Sequence, residues 1–183
     1  MVRRFLTDRS GIAAVEFALS LPLMVTLWLG MVELSQLMSA SAKTGMAAQS
    51  VADLVSRYTQ QGYTDPSGFA DLEKAAATIL APLPTTTGNP LVSVVSATLN
   101  SSGAPTQSWQ CTTGTMPPAY SASTLLGNAP SVTTQNSNLS SVIMVTVIFS
   151  YSPTISGGIT GPSSFTATAY SAPRLVSTIP KPC

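Results

Sequence analysis

The chain has no histidine at all. Zinc and iron sites built on imidazole, and nucleophilic triads that use it as base, are therefore excluded. Cysteine is nearly as scarce. Cys111 and Cys183 are the only thiols and lie far apart, so no CxxC redox or metal motif exists. Charge is the third shortage. Asp, Glu, Lys and Arg make up 8% of 183 residues, against roughly a quarter in an ordinary soluble domain. From Ala75 through Pro173 none of the four occurs. Acid–base catalysis needs tuned ionisable groups converging on a pocket, and a serine–lysine dyad would have to recruit Lys43, Lys74 or Lys181. The expectation is a chain that is not an enzyme and has no cofactor, metal or small-molecule substrate. The net charge is +1, with no Lys/Arg cluster beyond the amino terminus, so nucleic acid is not an expected partner. Scarce charge alone would fit disorder, but disordered chains also lack β-formers. Here Val, Ile, Phe and Tyr gather in runs, which points to a folded domain with uncharged polar faces.

What the chain does have is one long apolar stretch. Ile12 to Val32 holds Glu16 as its sole charge, and about 20 helical residues cross a hydrocarbon core of roughly 30 Å. Arg3, Arg4 and Arg9 precede it, opposed only by Asp8. The positive-inside rule then keeps the short tail cytoplasmic and exports the remainder. Three readings compete. A plain single-pass anchor is the simplest. A secretory signal with a cut near Ala40-Ser41-Ala42 must accept an overlong apolar region that contains Glu16 and is followed by Glu33. The Arg3-Arg4 pair is too short a match to establish a twin-arginine signal. The third reading accounts for Glu16. A charged side chain at mid-helix costs about 2.5–3.5 kcal/mol, less near an end where it snorkels. Cleavage after Gly11 would place the α-ammonium of Ile12 one turn from that carboxylate, at i,i+4 and at the helix end where the macrodipole favours an anion. Snorkelling of Glu16 to the headgroups is the plainer alternative.

The run Gly11-Ile12-Ala13-Ala14-Val15-Glu16-Phe17-Ala18-Leu19-Ser20-Leu21-Pro22 resembles the start of TadE-like minor pseudopilins of the Tad (Flp-type) pilus system. Members of that family have a short basic leader ending in glycine, a glutamate at the fifth mature position and a Leu-Pro shortly after. The resemblance implies that Gly11 ends the leader, that Ile12 is the mature amino terminus and that Glu16 is the assembly glutamate. The implied partners are a prepilin peptidase, which is an intramembrane aspartyl protease working at the cytoplasmic face, and other pilin and pseudopilin subunits. Phe17 stands where the major pilins have tyrosine, which fits the minor subunits. The implied location is the bacterial inner membrane, single pass, with the head periplasmic or carried into an extracellular pilus.

Three parts are expected: a leader over 1–11, a membrane helix and stalk over 12–58, and an exported head over 59–183. Pro22 removes a backbone hydrogen bond and should kink the membrane helix, which membranes tolerate. Beyond it, Leu34, Leu37 and Met38 form one apolar stripe, and Val51, Leu54, Val55 and Tyr58 another. The small residues of Ser39 to Ser50 allow close helix approach. Either one long helix passes through Gly45 or the glycine, at a cost of about 1 kcal/mol, divides it.

In the head, Gln60 to Thr64 reads as a turn and Asp65-Pro66 as the start of a second helix. That helix has Phe69, Leu72, Ile79 and Leu80 on one face and ends at Pro82 and Pro84. Strands are expected at Leu91–Leu99, Gln107–Thr112, Val142–Phe149 (the central one) and Phe165–Tyr170. Thr113 to Ser140 reads as a long surface excursion. The fold class is thus α+β, pilin-like, with a helix on an antiparallel sheet of three or four strands. On the exported side Cys111 and Cys183 are expected to form a disulfide, and TadE-like chains similarly end with an arginine and a late cysteine, here Arg174 and Cys183. Two functions follow from these readings: a processed minor pilin, or an unprocessed anchored periplasmic interaction or adhesion domain.

Overall fold

The structure is a computed structural model, and it describes residues 11–58, 67–86, 88–99, 105–117, 126, 141–153, 161–181 and 183. Helix α1 spans Ile12–Ser56 and α2 spans Ser67–Leu80. Strands β1 (Leu91–Leu99), β2 (Pro105–Thr112), β3 (Ser141–Tyr151) and β4 (Ser163–Ser171) complete the chain. The expected α+β class is borne out. All four strands form one antiparallel sheet in the order β2-β1-β3-β4.

Strand β3 occupies an interior position because it is apolar on both faces. Ile143, Val145 and Val147 point to the helical side, and Met144 and Ile148 to the other. β4 alternates as its sequence does, with Phe165, Ala167 and Ala169 turned toward the helices. β1 and β2 pair with a bulge between Ser96 and Ala97. Each interior run is bounded by turn-forming residues, so length and edges are both set locally.

Helix α1 runs unbroken through Pro22 and Gly45 over 45 residues, about 68 Å at the helical rise. Its far half is part of the head. Glu33, Ala40, Thr44, Ala47, Ala48, Val51, Ala52 and Val55 are buried at three- and four-residue spacing, and this stripe lies over β3 and β4. The small residues of Ser39 to Ser50 thus serve the molecule's own sheet on one side, where a side chain no larger than alanine or threonine lets the helix backbone come close. Packing over a whole face offsets the glycine penalty, and the helix does not divide at Gly45. Leu34 and Met38 from the expected proximal stripe are exposed, as is Leu54 from the distal one.

Helix α2 lays Phe69, Leu72, Ala76 and Leu80 against α1 and the edge of β1. Its carbonyl end is closed by the Lys43 ammonium, which donates to Ala81 O, a favourable place for a cation. The expected N-cap at Asp65-Pro66 and the turn before it lie outside the described residues. So does most of the Thr113–Ser140 excursion. Leu126, which is described, packs on the far face of the sheet against Val95, Met144 and Tyr170.

Candidate functional site

Gly11 is the N-cap of α1, with φ −79° and ψ −15°, and no side chain caps this end. Its carbonyl accepts the first helical hydrogen bond, from Val15 N–H at 3.2 Å. No atom beyond its neighbours lies within 4 Å of where a Cβ would stand. Gly11, Ile12 and Glu16 are all exposed. Ile12 and Glu16 share a face of the first turns, as i,i+4 residues must. Helix geometry thus brings the three residues read from the sequence together at one end of α1, and Pro22 lies farther along the same helix.

Around them the surface is apolar. An apolar 18-residue window of α1 has none of its residues buried in the protein. Phe17, Leu19, Leu23, Met24, Leu27 and Trp28 are each more than half exposed. The helix is long and apolar enough to cross a membrane once. The apolar stretch ends where the head begins, because Glu33, the next residue after Val32, is already 5% exposed and buried.

The opposite end of α1 carries a clamp that the sequence reading did not anticipate. Asp53 receives two guanidinium groups, Arg57 at 2.5 Å and Arg174 at 2.7 Å. The backbone N–H of Arg174 also donates to Ser56 O at 2.9 Å, satisfying a helix-terminal carbonyl. From there the chain's last residues cross the sheet from β4 toward β2. Ser141 Oγ donates to Ser177 O at 2.5 Å, and Trp109 Nε1 donates to Ile179 O at 2.7 Å. The crossing ends in the Cys111–Cys183 disulfide, with Cα atoms 6.0 Å apart. Ile179, a residue of this strap, is itself buried. The expected bridge is present, and it fixes a segment that Arg174 has already tied to the helix end. The i,i+4 spacing of Asp53 and Arg57 is the one signal in the sequence that could have found part of this clamp; nothing local points to Arg174 as its third member.

Among the described residues no group of His, Cys, Asp or Glu is placed to hold a metal ion. Burial raises the Tyr170 phenol above its ordinary value, on the face where it packs with Met144, away from either end of α1. The arrangement is an exposed apolar helix with one acid near its start, rooted at its far end in a cross-linked head.

A family model described as TadE-like protein aligns with residues 11–53. The resemblance drawn from Gly11 to Pro22 is thus borne out, and it extends through the stalk to Asp53. No curated protein and no solved structure matches the chain. Over the aligned segment the chain is similar to a family of the Tad pilus system, and most of the head lies beyond the alignment.

Proposed function

We propose that the chain is a minor pilin or pseudopilin of a Tad-type pilus, cut after Gly11 by a prepilin peptidase and taking part in pilus assembly or initiation. The observation that carries this reading is Glu16, one turn from Ile12 in the stretch Ile12 to Val32, which is otherwise uncharged and largely exposed. An acid there is a cost to a simple anchor. Beside a new amino terminus it becomes half of an ion pair, within the same subunit or with a neighbour in a helical bundle. In the proposal the amino terminus faces the cytoplasm, α1 spans the inner membrane, and the head is periplasmic until the subunit joins a pilus. Its partners are the peptidase and other subunits of the same system.

The head then works by contact and carries no catalytic activity. A serine-reactive probe that labels it stoichiometrically would overturn that part. The rival is a permanently anchored periplasmic interaction or adhesion domain. Amino-terminal sequencing of the membrane-extracted protein separates the two. Ile12 as the first residue supports the pilin reading, and retained Met1 or Val2 returns the protein to the anchored class.

A further inference from the structure

The bond that the proposed cleavage breaks joins Gly11 to Ile12, and the two halves of its amide are not equally free. The nitrogen belongs to the first residue of α1, and the first N–H groups of a helix have no partner within it. The oxygen is tied. Gly11 O accepts from Val15 N–H at 3.2 Å, so it points along the helix axis into the turn that follows.

Hydrolysis asks for the opposite arrangement. Water adds to the Gly11 carbonyl carbon, the C–N bond breaks, Gly11 departs as the leader's carboxylate and the Ile12 nitrogen gains a proton. On the way the carbon becomes tetrahedral and negative charge gathers on the oxygen, where donors of the enzyme must meet it. An oxygen that faces Val15 N–H inside a closed turn is turned away from such donors. The turn from Gly11 to Val15 therefore has to open before the bond is cut.

Little holds that turn shut. No side chain caps it, and no acidic residue stands in it to meet the helix dipole. The head gives it no support, because residues 11–19 are all exposed. Ile12 and Val15 are β-branched, which lowers their helix propensity. The hydrogen bond itself, at 3.2 Å, is at the long end of the range for N–H···O. Ala13 and Ala14 favour the helix, so the turn forms, but releasing the Gly11 carbonyl costs only one backbone hydrogen bond.

We infer that Val15 is a positioning residue for processing: its N–H latches the Gly11 carbonyl into the helix, and the peptidase cuts only after this latch opens. The enzyme that fits is one that takes the segment around Gly11 in extended form. This rests on the processing reading proposed above. The latch works in one direction. Cleavage carries the Gly11 carbonyl away with the leader, so Val15 N–H has no oxygen to return to.

The test uses the full chain, made by cell-free translation with Val15 replaced by its hydroxy-acid counterpart. An ester oxygen then stands where the N–H was, and the side chain is unchanged. A control has the same exchange at Leu19, one turn further on, where the bond lost is the helical one to Val15 O. Each chain is incubated in detergent with a molar excess of prepilin peptidase, and release of the leader, residues 1–11, is timed by mass spectrometry. One backbone hydrogen bond is worth about fivefold in an opening equilibrium. The Val15 ester is expected to be cut about five times faster than the unmodified chain, and the Leu19 ester at the unmodified rate. A Val15 ester cut no faster than the unmodified chain overturns the inference and leaves the cleavage standing. Equal acceleration of both esters overturns it too, because general loosening of the helix would then suffice. If no chain releases its leader, the processing reading and the inference fall together.

Discussion

Arg174 meets Asp53 in two ways: its guanidinium lies 2.7 Å from Oδ1, and its backbone N–H closes the helix turn that Asp53 begins by donating to Ser56 O. The last strand and the stalk are thereby joined at the end farthest from the membrane helix. The ion pairs are exposed, with the arginine side chains 59–62% accessible, so each is worth no more than about 1 kcal/mol. Asp53→Asn should lower stability only slightly in thermal denaturation of the detergent-extracted protein. High salt should erase the difference, since screening already removes what the substitution removes. A loss that persists in salt would show that Asp53 acts by packing.

The disulfide has a larger effect. It closes a segment with sequence separation 72, for which the chain-entropy treatment gives about 4 kcal/mol. Replacing both cysteines by serine should destabilise the head by about that amount, read from denaturant midpoints. Trp109→Phe removes the indole hydrogen bond to Ile179 O and leaves that buried carbonyl without its donor, which costs about 1–3 kcal/mol. The two changes act on one strap. In combination they should cost less than their sum, because a strap already released by loss of the disulfide cannot be released again.

The stalk's small residues give a third test. Ala47 is fully buried against the sheet, whereas Ala42 on the same helix faces outward. Ala47→Leu forces extra volume into a close helix–sheet contact and should cost about 1–3 kcal/mol. Ala42→Leu should leave the monomer's melting temperature unchanged. If Ala42→Leu nevertheless impairs piliation, the outward face of the stalk is used between subunits.

That contrast marks where the sequence is legible. β1 was readable to the residue, since Leu91–Leu99 is a β-branched run bounded by proline and a turn cluster. β3 was readable as an interior strand because both its faces are apolar. The partner of the small-residue stretch was not readable. Small side chains permit close approach without naming what approaches, and the same alanines would suit another helix or the sheet they actually meet. Gly45 was ambiguous for a related reason, because local propensity cannot register packing along a whole helix face. The disulfide that ties the strap to β2 was expected, but the hydrogen bonds along the strap were not readable, because they go to backbone carbonyls of Ser177 and Ile179, which any sequence offers. The candidate site at the amino end was readable, since Gly11, Ile12 and Glu16 are close neighbours on one helix and need no tertiary contact to meet.

The last prediction concerns those three residues, and the structure makes it unusually clean. Gly11 has open space around its Cβ position, and its φ of −79° is accessible to any residue. Gly11→Leu therefore fits the fold without strain. It is expected to block processing, and the obstruction then lies in the peptidase and not in a damaged substrate. Glu16 is likewise exposed and far along α1 from the head, so Glu16→Ala leaves the head's core and its disulfide untouched. The expected outcome is full processing, with Ile12 as the amino terminus, and impaired piliation. Glu16→Gln separates charge from shape, because it keeps the volume and loses the pairing. If glutamine behaves like alanine, the acid acts through its charge. Normal piliation with both variants would leave Glu16 without a role in assembly.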